Sequence, residues 1–428
     1  MNMKKNIVIV NRRYFIGHGP EKYLFNIKRE LEADGNSVIP FAVRRKMNVS
    51  SEFSKYFVQP PYGEDVLYFK EANVGLLRKI KILANCVYSF EAKSKLKKLL
   101  RDHKVDLVYV LGIVNEISPS IIDACKSLNI PVVMRLSDYN IICGNYYLMR
   151  DNALCKLCVT KSPYQCTKHR CVKNQFVPSF ARSLSLFVHN LMGIYNYVDA
   201  FVCPSSFMKS SMEQAGFPAD KLHRINSFLD SQAYTACYEN DGYILYVGRI
   251  SKEKGVDYLL KAQARMEAKI PIHIVGDYSD ENYFNALKDY IKDHNIDNIK
   301  FIGFKSGDEL KELVMKSKFV VAPSIWPDNS PMSVLEAMAM GKPVVGSAMG
   351  GIADQIQNNK TGFLVPPCDD RALAEKIEFL WNDDTLVENM GKNARKRFEQ
   401  EFSAKQHYSK LQAIFDNVIK NKQYGSKA

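Results

Sequence analysis

Arg249 and Lys254 lie in the run Tyr-Val-Gly-Arg-Ile-Ser-Lys-Glu-Lys-Gly, residues 246–255, directly after an apolar stretch that reads as a strand. A guanidinium can grip phosphate oxygens bidentately, and an ammonium adds a compact point charge, so two cations at a strand end suit a diphosphate. Taken alone, the same residues also describe an ordinary basic surface loop.

The second constellation spans residues 323–345, Pro-Ser-Ile-Trp-Pro-Asp-Asn-Ser-Pro-Met-Ser-Val-Leu-Glu-Ala-Met-Ala-Met-Gly-Lys-Pro-Val-Val. A strand ends at Pro323, a loop carries Trp326 and Asp328, and Ser330 followed by Pro331 predicts an N-cap with proline at the first helical position. The helix continues through Met332 to Met340 and stops at Gly341. Unpaired N–H groups and the dipole make such a terminus an anion site. Glu336 stands five residues beyond Pro331, roughly 8 Å along the axis at ~1.5 Å per residue. Two acceptor-only carboxylates, Asp328 and Glu336, flank that anion site and could take hydroxyls at opposite ends of a diphosphate-linked ligand. The alternative for Glu336 is an exposed helix position, against which its neighbours Val334, Leu335, Ala337 and Met338 argue.

These stretches resemble the retaining glycosyltransferases of family 4, the group 1 glycosyltransferases. The resemblance rests on Tyr246-Val-Gly-Arg-Ile with Lys254-Gly255, Phe301-Ile-Gly-Phe, Pro323-Ser, Leu335-Glu-Ala-Met-Ala-Met-Gly-Lys-Pro-Val-Val, Gly350-Gly-Ile and Thr361-Gly-Phe-Leu-Val. It implies that Arg249 and Lys254 hold the donor diphosphate and that Glu336 binds ribose hydroxyls. Gly19, Gly248, Gly303, Phe304, Ser330, Pro331 and Met332 complete the expected donor-binding set. The resemblance further implies net retention without an obligatory covalent intermediate.

Two departures concern the sugar-facing side. The first acid of the family's paired-glutamate motif is here Asp328, one methylene shorter. The family's His-Asp pair is Ser137-Asp138, which leaves His18 and Asp138 as the candidates for a general base. The glycine-rich loop resembles His18-Gly19-Pro20-Glu21, with one of two glycines kept. No Asp-x-Asp sequence occurs anywhere, so no cofactor is expected for catalysis, the nucleotide sugar being a co-substrate. Arg249, Lys254 and a helix terminus would take a metal's place.

Positioning these residues requires two domains, and 428 residues supply two full cores. Short β-branched runs alternate with helical patterns, as parallel sheets covered on both faces require. The reading is an α/β fold of GT-B type, two doubly wound Rossmann-like domains facing a central cleft. Residues 1–228 form the acceptor-side domain, 229–242 a linker, 243–402 the nucleotide-sugar domain and 403–428 a final helix. Ser306 with Glu309 predicts a capping box.

Composition narrows the partners. Hydrophobic residues make up 46% and charged residues 25%, an ordered globular balance. The apolar run at Ile7–Val10 is too short for a signal core, and Leu184–Cys203 is broken by His189, Asn190, Asn196 and Asp199. The expectation is a cytoplasmic protein, at most at the inner face of the cytoplasmic membrane. A net charge of +13 calls for anionic partners, and Lys93, Lys95, Lys97, Lys98 and Arg101 cluster on one predicted helix. That cluster suits either a solvated face or peripheral contact with anionic lipid.

Cys155, Cys158, Cys166 and Cys171 fall within an insertion at about 143–171. Two readings stand, a small structural zinc knuckle or a reduced cysteine-rich loop. The functional expectation is a sugar transferred from a nucleotide-sugar donor to a glycan or lipid-linked acceptor, in bacterial capsule, O-antigen or exopolysaccharide synthesis. A nucleotide-sugar epimerase of the same fold is the alternative. A basic zinc-knuckle protein binding nucleic acid is a third reading, but it explains nothing in residues 323–345, so no nucleic acid is expected.

Overall fold

A computed structural model describes residues 4–17, 19–60, 76–113 and 116–425. The first-half strands are β1 (Asn6–Asn11), β2 (Ser37–Phe41), β3 (Leu107–Gly112), β4 (Val132–Arg135), the short β5 (Met149–Arg150) and β6 (Ala153–Leu154), β7 (Ala200–Cys203) and β8 (Leu222–Arg224). The second half supplies β9 (Ile244–Val247), β10 (Ile272–Val275), β11 (Ile299–Gly303), β12 (Val320–Ala322), β13 (Val344–Ser347) and β14 (Gly362–Val365). They build two six-stranded sheets, ordered β2-β1-β3-β4-β7-β8 and β11-β10-β9-β12-β13-β14, with β5 and β6 as a separate antiparallel pair.

Every pairing in the large sheets is parallel. Alternation within each strand feeds two cores at once. Val8, Val10, Val108 and Val110 face one apolar cluster, whereas Ile7, Ile9, Leu107 and Tyr109 face another. The strands are therefore continuous apolar runs because both faces are covered. In both sheets the strand order reverses beside the first strand, β1 or β9. Ligand crevices of open α/β sheets form beyond the carboxyl ends of strands at such switch points. The loops after β1, β9 and β12 are thereby aimed at one place.

The final helix, Ala404–Gly425, returns to the first sheet. Its Leu411, Ile414, Phe415 and Val418 join the cluster containing Ile7, Ile9 and Tyr109. The two chain crossings between the sheets run side by side, as Leu229 bridges Ser403 and Leu229 N donates to Phe402 O at 3.2 Å.

One local expectation is corrected. Ser306 is the N-cap of helix Gly307–Lys316, but its hydroxyl makes no capping bond; Glu309 instead pairs with Lys305 at 3.3 Å, so no reciprocal box forms. The basic helix Phe90–Asp102 is not a uniform cationic face. Lys93 lies 3.7 Å from Asp123, and Lys95 pairs with Glu91 at 3.2 Å while donating to Phe57 O. Among the described residues, no helix is long and apolar enough to cross a membrane.

His407 locks the last helix in place. Its Nδ1 donates to Asn226 O at 2.6 Å, and its Nε2 accepts from Tyr23 Oη at 2.8 Å. Burial pushes the imidazole down to about 3. The unfolded chain therefore takes up a proton near the ordinary histidine value while the folded chain does not. Stability from this group is full above that value and is lost as pH falls towards the folded one. Thermal unfolding followed from about pH 7 to pH 4 should show a steeper acid loss of Tm for the native protein than for His407→Gln. Equal acid slopes would sink this assignment.

Candidate functional site

Strand β9 ends at Val247, and Gly248 N donates to Val275 O at 3.0 Å, which keeps the following loop against the sheet. Arg249 then projects half-exposed, its Nη2 3.2 Å from Glu253 Oε1. Gly255 turns the chain with φ +70° into helix Val256–Arg265. A Cβ at Gly255 would collide with Pro323 O, so this glycine is what lets the β9 and β12 loops touch. Ile325 N donates to Glu253 O at 3.0 Å across the same junction.

This contact brings Lys254 to Asp328. Their side chains form a mostly buried ion pair, and the Lys254 ammonium also stands 5.4 Å from the centroid of the Trp326 ring. The Asp328 backbone is fixed from behind: Gly351 N donates to Asp328 O at 2.5 Å, and a Cβ on Gly350 would run into Pro327 and Asp328. The Gly350-Gly351 pair is thus a packing requirement of the acidic loop.

The helix that follows runs Met332–Ala339. Its N-cap is Pro331 rather than Ser330, because Pro331 has ψ 126°, and no side chain caps it. The Ser330 hydroxyl accepts from Gln355 Nε2 at 3.1 Å instead. The first-turn N–H groups therefore have no side-chain competitor for an anion. Glu336, on the same helix, is only 5% exposed, which rules out the surface reading. Its Oε1 accepts from Lys22 Nζ at 3.2 Å and from Tyr234 Oη at 3.4 Å.

Lys22 comes from the first half, on helix Gly19–Ala33 after β1. Gly19 opens that helix, and a Cβ there would sit 3.6 Å from Met332 Cγ. The glycine-bearing turn and the uncapped helix terminus therefore meet across the cleft. Behind the turn, Glu21, Arg13, Arg45 and Glu116 are buried charges, with ion pairs Arg13–Glu21 at 3.7 Å and Arg45–Glu116. His18 lies outside the described residues. Gly303 and Phe304 stand at the end of edge strand β11, Phe304 58% exposed, and Gly303 O accepts from Gly276 N at 3.0 Å.

On the first-sheet side, the Asp138 carboxylate accepts from Asn140 N at 2.9 Å and from the Asn140 amide. Burial holds its pKa above the usual carboxylate range, opposed by those hydrogen bonds. The Ser137 hydroxyl points back into the fold, accepting from Arg135 Nη1 at 3.0 Å and donating to Leu111 O at 3.2 Å. Two bonds then cross the cleft: Tyr139 Oη donates to Pro327 O at 2.7 Å, and Asn329 Nδ2 to Ser137 O at 2.8 Å. Lys22, Tyr139, Tyr234 and Asn329 were missed in sequence reading. Only Asn329 had a signal, its place in the 323–345 run.

Cys155, Cys158, Cys166 and Cys171, read either as a zinc knuckle or as a reduced cysteine-rich loop, form no disulfide. Among the described residues no three His, Cys, Asp or Glu side chains assemble as a metal-ligand set. Cys166 and Cys171 share a hydrogen bond, which holds the Cys171 thiol below the usual thiol range. Cys143 is buried near them, its thiol pushed up to about 12 by burial, and bonded to Asn145 Oδ1 at 2.9 Å.

Residues 17–233 match the family described as Glycosyltransferase Family 4, and residues 230–397 match Glycosyl transferases group 1. The capsular polysaccharide biosynthesis glycosyltransferase CapM of Staphylococcus aureus is 31% identical over 209 residues, covering 48% of this chain and 53% of CapM. The chain thus spans about half the length of the curated relatives it matches. Anabaena HepE, solved with UDP-glucose, superposes with a TM-score of 0.66 at 16% identity, covering 98% of this chain and 100% of that one. The sucrose-phosphate synthase of Thermosynechococcus elongatus gives 0.70 at 17% identity, with 98% and 100% covered. These likenesses establish the two-sheet GT-B fold.

Removing the buried Tyr139 hydroxyl tests the cross-cleft contact. Tyr139→Phe should lower unfolding stability by about 1 kcal/mol in urea titration, because Pro327 O is left without its donor. An unchanged midpoint would mean that this bond does not hold the loops together.

Proposed function

The chain belongs to glycosyltransferase family 4, and from that premise we propose that it transfers a sugar from a nucleotide-sugar donor to a glycan or lipid-linked acceptor. The setting we favour is cell-surface polysaccharide assembly, in keeping with the likeness to CapM. One observation carries the reading: a buried carboxylate, Glu336, sits on a helix whose N-terminus has no side-chain cap, beside a loop pairing Lys254 with Asp328. Carboxylates at both ends of an anion site match a ligand that has hydroxyls on either side of a diphosphate.

In this proposal Arg249, Lys254 and the first N–H groups of helix Met332–Ala339 take the diphosphate, and Glu336 takes ribose hydroxyls. Both cations are already paired with acids, Glu253 and Asp328. Phosphate would therefore displace a carboxylate, and Asp328, released from Lys254, would accept from hydroxyls of the transferred sugar. As the bond from the anomeric carbon to the diphosphate oxygen breaks, negative charge builds on that oxygen and the same cations stabilise it. The acceptor hydroxyl adds on the face the diphosphate leaves, passing its proton to the departing phosphate, so configuration is retained. The cations do the work of a divalent metal, and Asp138 stands on the acceptor side.

The test pairs binding with turnover. Among UDP-, GDP- and ADP-sugars, one class should raise the Tm of the native protein by mass action. Glu336→Gln and Arg249→Ala should remove that shift and lower transfer by about 100-fold or more, with circular dichroism unchanged. Native turnover in both variants would exclude this donor site.

A further inference from the structure

The helix Phe176–Met192 is turned inside out. Its buried residues include Ser179, Ser183, Ser185 and His189, and each of these has a polar partner. Ser179 Oγ accepts from Val172 N at 3.0 Å, and Ser183 Oγ donates to Pro163 O at 2.8 Å. Ser185 Oγ donates to Cys86 O at 2.9 Å, and His189 Nε2 donates to Val87 O at 2.7 Å. The outward side carries Phe176, Val177, Phe180, Leu184, Phe187 and Leu191, from 41% exposed at Leu184 to 77% at Leu191. At 3.6 residues per turn these six fall within an arc of about 100°, a continuous apolar stripe. A helix meant to face water has the opposite polarity, and a contiguous exposed apolar stripe marks a contact surface.

Charge says what contacts it. Residues 152–198 contain six Lys or Arg and no Asp or Glu. Lys161, Lys168, Arg170 and Lys173 are exposed in the stretch leading into the helix. A second copy of the chain would bring this acid-free stretch against itself, like charge on like charge. A negatively charged surface with an apolar layer beneath satisfies both properties together. The helix has 17 residues, fewer than the roughly 20 needed to span hydrocarbon, and its inner side is already committed to the fold.

We infer that this face docks on an anionic lipid bilayer, the helix lying in the membrane plane with its phenylalanines at the acyl boundary and the flanking cations among headgroup phosphates. The surface differs from the basic helix Phe90–Asp102, where Lys93 and Lys95 are engaged within the protein. It also connects to the cleft. Arg182, on the docking helix, donates to Gly144 O at 3.2 Å and to Asn140 O at 2.9 Å. Asn140 in turn holds the Asp138 carboxylate. A bilayer-bound helix would thus present the acceptor side of the cleft to the lipid surface. The docking face stands on the helix itself and does not require the sugar-transfer reading.

The experiment is co-sedimentation of the full chain with vesicles of phosphatidylglycerol and phosphatidylethanolamine, against vesicles of phosphatidylcholine alone, with no sugar donor present. The native protein should sediment with the anionic vesicles, more weakly as salt rises. Phe180→Glu with Phe187→Glu should lower the partition coefficient by roughly 100-fold, with an unchanged Tm because both positions are exposed. Three results would overturn the inference: a native protein left in the supernatant, a double variant that sediments like the native one, or equal binding to phosphatidylcholine. A fourth would do so by naming another occupant, if light scattering showed a native dimer that the double variant dissolves without any lipid binding.

Discussion

Glu336 is a carboxylate on a helix of mostly apolar residues, 5% exposed, and such a group is tolerated only where donors reach it. One donor, Lys22, belongs to the first sheet's leading helix, and the other, Tyr234, to the segment joining the two halves. The requirement to satisfy one acid therefore ties together both domains and the connection between them. Much else is arranged around this point. Gly19 permits the approach of the first helix, Gly255 the approach of the β9 loop, and Gly350 the packing behind Asp328.

The resting site is electrically self-satisfied. Arg249 faces Glu253, Lys254 faces Asp328 and Lys22 faces Glu336. A mostly buried pair such as Lys254–Asp328 is a weak source of net stability, because desolvation offsets its attraction. A ligand that merely brings charge gains little from such a site. One that offers anionic oxygens for the cations and hydroxyls for the released carboxylates replaces every contact it breaks.

Two kinds of signal are legible in the sequence, strand periodicity and short motifs. Ile7–Val10 and Tyr243–Val247 were legible as strands because both faces of a parallel sheet are covered, which removes polar residues from the run. Arg249, Lys254, Asp328 and Glu336 were legible because one loop or helix holds each within a short motif. Lys22 and Tyr139 were not, because their partners are 314 and 188 residues away and nothing periodic marks them. The N-cap at Ser330 was misplaced because Pro331 keeps an extended ψ, delaying the helix by one residue. Helix Phe176–Met192 was illegible for a different reason: reading assigns apolar residues to the inside, and here serines occupy that place.

The two chain crossings lie against each other where Leu229 bridges Ser403, and the last helix is fastened to the first sheet. The second domain is therefore inserted into the first in connectivity, entering and leaving through a single doorway. A protease cut between residues 230 and 242 would not free it, because the outgoing strand of chain still ends in a helix locked under the first domain by Leu411, Phe415 and His407. Two adjacent strands of backbone also form a hinge stiffer against twisting than one, which favours opening and closing of the cleft along one path over free tumbling of the two halves.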